Sequence, residues 1–210
     1  GIANIALGLG KYIVDGGQTL RFSPRHPHSI LQMSTLEFAL RETQTRFYAL
    51  DLQHLNMADD FSVDDAFNLK KLSVKDAEKD GSLRYIASTY DPYDQIIRDG
   101  FYPGGRKIIS FVNILQHDVF PLADTLDKLL EVGQKEMGRP IEIEFAMNLD
   151  ENDPTKATFY LLQIRPIVDS KEVMDEDLTK IQQADTILSS QSALGHGIIN
   201  DVQDIVYVKS

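Results

Sequence analysis

Four polar residues in the second half of the chain have the types and spacing of a magnesium and phosphate site. Glu142 and Glu144 are two positions apart, and so are Gln163 and Arg165. Carboxylate and amide oxygens are ligands that Mg²⁺ accepts, and the guanidinium fork matches the oxygens of a phosphate group. If these side chains share one surface, they can hold a polyphosphate together with a divalent metal ion.

A hairpin of two strands is predicted to position these residues. Residues 141–147 alternate between apolar and mostly polar side chains, and residues 159–165 alternate again after a polar loop. If the apolar faces share a core, antiparallel pairing also brings the polar faces together. Phe159 and Leu161 are then expected on the polar face. Such a mixture favours a ligand cleft, although a half-exposed hairpin with solvated charges has the same alternation.

Composition excludes several classes of protein. The chain has 210 residues, 42% of them hydrophobic and 25% charged, as in ordinary globular domains. The absence of cysteine excludes disulfides and thiolate metal sites and fits a reducing compartment. A net charge of -11 argues against nucleic acid or an anionic membrane as the main partner. No apolar run approaches the length of a spanning helix. We therefore expect a cytoplasmic protein that binds neither nucleic acid nor membrane.

The other elements predict an α+β fold with antiparallel sheets and packed helices. Lys11–Val14 is predicted as a helical turn or a strand, Asp99–Gly105 as a loop, and Phe38 as part of a strand. Apolar spacing and a proline in the first turn predict the best helix at Pro121–Lys135, which ends at Gly138. The predicted strands are Gln18–Phe22, Thr45–Leu52, Leu83–Thr89 and Lys107–Leu115.

The ends of the chain suggest two further features. Gly8-Leu9-Gly10 near the start is most simply a tight turn, since the sequence has neither a dinucleotide fingerprint nor a P-loop. Lys11 beside it could reach a phosphate. Near the other end, Lys171–Gln191 is predicted to be an exposed linker helix and Ile205–Val208 a strand that begins a new unit, while residues 59–66 are predicted to start a short helix.

Three motifs together resemble the family of phosphoenolpyruvate synthase and pyruvate phosphate dikinase. Gly8-Leu9-Gly10 with Val14 and Gly16-Gly17 resembles the family segment GLGE-x-x-V-x-G. Gly138 to Ala146 resembles G-x-P-x-D-I-E-W-A, with Glu142 in place of the usual Asp. Leu162 to Pro166 resembles LQ-x-RP. The similar regions are residues 2–22 and 107–168, and residues 25–106 are interpreted as an insertion or a divergent stretch.

This resemblance implies the C-terminal part of an ATP-grasp nucleotide-binding domain, with ATP and Mg²⁺ as cofactors. Glu144 and Gln163 are implied as metal ligands, and Arg165 as the catalytic contact to the phosphate chain. Gly8, Gly10 and Lys11 are implied to lie at the nucleotide. Lys11 departs from the family pattern, which has Glu at this position.

The resemblance also implies the role of a longer parent enzyme. Residues 1–169 are interpreted as part of the nucleotide domain, and residues 170–210 as a linker and the first strand of a truncated phosphohistidine domain. The parent would transfer phosphoryl from ATP through a histidine to pyruvate, and could be a homodimer, while the fragment alone would be inactive. The alternatives are a rifampin- or glucan-type dikinase and a non-catalytic protein-interaction module.

Overall fold

Small antiparallel sheets and a few helices form an α+β fold in the computed structural model, which describes residues 1–52, 68–79, 81–150, 152–153 and 156–167. The predictions for residues 59–66, 171–191 and 205–208 lie outside the described residues. The chain divides into two compact units, Gly1–Arg165 and Pro166–Ser210. The described strands are β1 (Ala3–Ile5), β2 (Leu20–Phe22), β3 (Arg46–Leu50), β4 (Leu69–Ser73), β5 (Ala87–Asp91), β6 (Ile96–Arg98), β7 (Arg106–Ile109), β8 (Ile141–Asn148) and β9 (Thr158–Pro166). The described helices are α1 (Lys11–Val14), α2 (Leu36–Glu42), α3 (Val112–Leu115) and α4 (Leu122–Met137), with 3-10 turns at Leu31–Met33 and Val74–Glu78.

The strands pair into four separate sheets in the described residues. β1 pairs with β2, β3 with β4, and β5 lies between β6 and β7, all antiparallel. β8 and β9 form the fourth sheet. These sheets and α4 enclose one hydrophobic core, to which Phe47, Val74 and Leu83 contribute beside Ile109 and Leu126. The described residues of the stretch 25–106, which the motifs do not align, therefore contribute to the core of the first unit.

Helix α4 confirms the strongest helical prediction. Pro121 stands just before its first residue, and Gly138 ends the helix with a left-handed φ of 66°. Leu122 and Leu126 are each 2% exposed, so the predicted apolar stripe faces the core. The chain continues through Pro140 directly into β8, and this short connection fixes the start of the hairpin against the helix.

Three strand predictions are wrong in whole or in part. Phe38 lies in α2, because the Thr35 side chain accepts a hydrogen bond from the Phe38 backbone N–H and caps a helix there. The strand expected at Leu83–Thr89 begins only at Ala87. The strand expected at Lys107–Leu115 ends at Ile109, because the backbone N–H groups of Ser110 and Phe111 both donate to the Ile86 carbonyl and turn the chain into α3.

No helix in the described part of the chain is both long enough and apolar enough to cross a membrane.

Candidate functional site

Strand β8 has the alternation that its sequence predicts. Ile141 is buried and Ile143, Phe145 and Met147 are partly buried, whereas Glu142 and Glu144 are exposed. Ile141 also approaches Gly133 of α4, where a glycine leaves room for its side chain. The helix therefore holds one face of the strand, and the two glutamates project from the other.

An ion pair joins the polar ends of the two strands. The Arg165 Nε donates a hydrogen bond to the Glu142 carboxylate, and both side chains are about half exposed, at 56% and 47%. At the other end of the sheet, Phe145 stacks on Phe159. As the residue number rises along β8, the number of the contacted residue on β9 falls. The two strands therefore run antiparallel. In such a ladder, the step from Glu142 to Glu144 corresponds to the step from Arg165 back to Gln163.

The aromatic residue of β9 lies on the opposite side from the one predicted. Phe159 stacks on Phe145 with ring centroids 5.3 Å apart and packs against the core, so the expectation of Phe159 on the polar face is wrong. Ile164 also reaches the core side, where its end lies beside Gly133. Residues five positions apart point in opposite directions in a regular strand. Phe159 and Ile164 both contact the core side, so the strict alternation predicted for residues 159–165 does not hold along the whole of β9.

Two further features of β9 bear on the predicted site. Arg165 contacts Glu142 and Gln163 is exposed, and alternation about Ile164 is expected to put both on the polar face. Tyr160 and Leu162, which were expected to face the core, are instead 44% and 63% exposed. The polar face thus loses Phe159 as an apolar wall but keeps its acid, its amide and its guanidinium.

The glycine segment near the start of the chain is held against β3. Gly8 has a left-handed φ of 91°, and the Leu9 backbone N–H donates to the Tyr48 carbonyl at 3.0 Å. Gly10 directly precedes α1, which begins at Lys11. The interpretation of this segment as a tight turn agrees with the structure, and the turn places Lys11 above the outer face of β3.

Lys11 is part of a small polar network on that face. Its Nζ donates to Asp15 Oδ1 at 2.9 Å, and the Tyr48 hydroxyl donates to Asp15 Oδ2 at 3.0 Å. The hydrogen bond from Lys11, followed by that from Tyr48, holds the pKa of the Asp15 carboxyl below its ordinary value. The same contact with Asp15 raises the pKa of Lys11. Lys11 is therefore a cation at neutral pH, with one of its donors committed to Asp15.

A family model described as pyruvate phosphate dikinase, AMP/ATP-binding domain, matches residues 2–186. The chain belongs to this family. The resemblance seen in the three motifs is thereby confirmed, and the matched range also includes residues 25–106. Searches of curated proteins and of solved structures find no match.

Within this pyruvate phosphate dikinase-type domain, the predicted site residues fall into two groups. Glu144, Gln163 and Arg165 are on the polar face of the hairpin, and Gly8 to Lys11 lie beside β3. In the described residues, no hydrogen bond or ion pair connects one group with the other. Sequence reasoning missed Asp15, which binds Lys11, and Tyr48, which binds Asp15. The helical spacing of four between Lys11 and Asp15 could have indicated the first of them.

Replacing Gly8 is expected to destabilise this dikinase-type domain. A Cβ at Gly8 would lie 2.6 Å from the Tyr48 carbonyl oxygen, and the left-handed φ is unfavourable for alanine. We expect Gly8→Ala to lower the free energy of unfolding by about 1–3 kcal/mol in chemical denaturation.

Gly10→Ala is the matched control for this change. Gly10 has a φ of -56°, and an added Cβ meets no atom within 4 Å. We expect Gly10→Ala to lower the free energy of unfolding by less than about 1 kcal/mol. Equal losses of stability in the two variants would contradict the close approach of Gly8 to β3.

Proposed function

We propose that this domain binds ATP with Mg²⁺ in an ATP-grasp arrangement, as part of a dikinase that passes phosphoryl through a histidine to pyruvate. The family match supports nucleotide binding. The observation that carries the site assignment is the polar face of the hairpin, which presents Glu144, Gln163 and Arg165 from one side. Phosphoryl transfer needs chiefly positioning and neutralisation of charge, and these three side-chain types supply both.

The proposed metal ligands fit Mg²⁺ by their chemistry. Glu144 and Gln163 are exposed, and neither makes a side-chain hydrogen bond within the described residues. The described residues contain no group of three or more His, Cys, Asp or Glu side chains that could hold a metal. Mg²⁺ commonly uses one or two carboxylates together with phosphate oxygens and water. When bound, the ion would neutralise phosphate charge, and Glu144 and Gln163 would orient it.

Arg165 is arranged so that it can contact phosphate while it remains anchored. Its Nε is used by Glu142, and its two Nη groups make no hydrogen bond in the described part of the chain. Those Nη groups form the end of the guanidinium that donates to phosphate oxygens. Glu142 would therefore orient Arg165 rather than bind the ligand, which explains why an acid is useful beside a phosphate-binding cation.

A protein-interaction role is favoured by a different observation. Tyr160, Leu161 and Leu162 of β9 are 44–63% exposed, and exposed apolar side chains on a strand suit contact with another protein. A rifampin- or glucan-type dikinase would share the proposed ATP chemistry and differ in its acceptor. A measurement of nucleotide binding distinguishes these alternatives, because either dikinase would bind ATP and a protein-interaction module would not.

Calorimetric titration of the full-length protein tests the proposal. We expect ATP to bind more tightly with Mg²⁺ than with EDTA, and incubation with γ-labelled or β-labelled ATP to leave an acid-labile, base-stable phosphoryl group on the protein. Pyruvate should discharge that group if it is the acceptor. Absence of nucleotide binding at millimolar ATP would contradict the proposed function and favour the interaction module.

A further inference from the structure

Lys71 shares the outer face of β3 and β4 with the network around Lys11. Tyr48 and Lys71 are direct partners in the antiparallel register, and cross-strand partners project from the same face. The Lys71 Nζ lies 5.5 Å from the centroid of the Tyr48 ring. The Tyr48 hydroxyl contacts Asp15, which binds Lys11. We call these four residues the Tyr48 surface.

The Tyr48 surface is positive on an acidic protein. It has two lysines and one aspartate, whereas the whole chain has 32 acidic residues and 21 Lys and Arg residues. Asp15 already binds Lys11 and the Tyr48 hydroxyl, and in the described residues Lys71 forms no ion pair. A cation above an aromatic ring is held in place but keeps its charge. Lys71 is therefore a positioned, exposed cation that forms no ion pair within the described residues.

The position of Lys71 suits a ligand with several negative charges. Lys71 lies over the Tyr48 ring, and Lys11 is joined to the Tyr48 hydroxyl through Asp15, so an anion bound at this surface would approach both ammonium groups. Lys71 also helps to lower the pKa of the Asp15 carboxyl, after the larger contributions of the hydrogen bonds from Lys11 and Tyr48. A triphosphate would gain more from two such cations than a monophosphate would.

We propose that Lys71 is a further phosphate-binding residue for ATP, acting beside Lys11. This inference rests on the proposed function, since it assigns Lys71 to the same nucleotide. The pairing of β3 with β4 makes the assignment possible, because it brings a residue sixty positions beyond Lys11 to the same tyrosine. Neither the glycine motif nor the hairpin motifs include Lys71.

Lys71→Gln in the full-length protein tests the assignment, with Lys70→Gln as the matched control. Lys70 is the next residue on β4, projects from the opposite face and forms an ion pair with Asp51. We expect Lys71→Gln to weaken ATP binding about fivefold and AMP binding less than about twofold in calorimetry. Lys70→Gln should leave both within about twofold. Lys71→Arg, which keeps the charge, should restore most of the ATP affinity.

The ATP affinities of these variants distinguish the two proposals. Unchanged ATP affinity in Lys71→Gln, with weakened binding in Arg165→Ala, would overturn the role of Lys71 and leave the proposed function intact. Equal weakening by Lys70→Gln, or equal weakening for AMP and ATP, would also overturn it, because the effect would then be general electrostatics. A failure of the wild-type protein to bind ATP would overturn both proposals. Thermal unfolding monitored by circular dichroism verifies that the variants are folded.

Discussion

Arg165→Ala is expected to lower the affinity of the full-length protein for ATP by about 10- to 100-fold. Hydrogen bonds to charged groups contribute about 1.5–3 kcal/mol each, and about 1.4 kcal/mol corresponds to a factor of ten. Arg165 has two Nη groups available for phosphate while its Nε is held by Glu142. Calorimetric titration with Mg-ATP measures this loss of affinity. Because Arg165 is proposed to contact the phosphates, the loss should be smaller for adenosine, which has none.

The fold should survive this change. The Arg165–Glu142 pair is about half exposed, and exposed ion pairs contribute about 0–1 kcal/mol to stability. Arg139→Ala is the matched control, because Arg139 is an exposed arginine in the turn before β8 and lies outside the hairpin. If Arg139→Ala weakened ATP binding as much as Arg165→Ala, the assignment of the phosphate contact to Arg165 would be wrong.

Glu144→Ala is expected to remove most of the Mg²⁺ dependence of ATP binding. In the wild type, the carboxylate would bind the ion that neutralises the phosphates, so Mg²⁺ should strengthen ATP binding. Without this ligand, the affinities measured with Mg²⁺ and with EDTA should agree within about threefold, and Mg-ATP affinity should fall at least about tenfold. Titration with Mn²⁺, followed by the relaxation of water protons, reports the metal directly.

A control variant and a second ligand variant separate a metal ligand from a general negative charge. Glu136→Ala removes an exposed acid of α4 and should leave the Mg²⁺ dependence unchanged. Gln163→Leu should reduce the Mg²⁺ dependence in the same direction as Glu144→Ala, since the amide oxygen is the second proposed ligand. A wild-type response to Mg²⁺ in Glu144→Ala would show that the hairpin does not bind the ion.

Local patterns in the sequence determined the elements that carry the proposed site. The period of two in residues 141–147 and the apolar stripe of residues 121–135 depend only on neighbours along the chain, and both are confirmed. Strand boundaries were less predictable. The end of β7 depends on Ile86, whose carbonyl lies more than twenty residues earlier in the sequence and accepts the hydrogen bonds that turn the chain.

Only the tertiary structure decided which side chains meet. Phe159 packs against the core, where it stacks on Phe145, and the period of two along β9 predicted the opposite side. Lys71 reaches the Tyr48 surface because β3 pairs with β4 across the residues that separate them. Periodicity along the sequence predicts which residues of a strand share a face. The pairing partner of the strand and its register depend on packing between segments that are distant in the sequence.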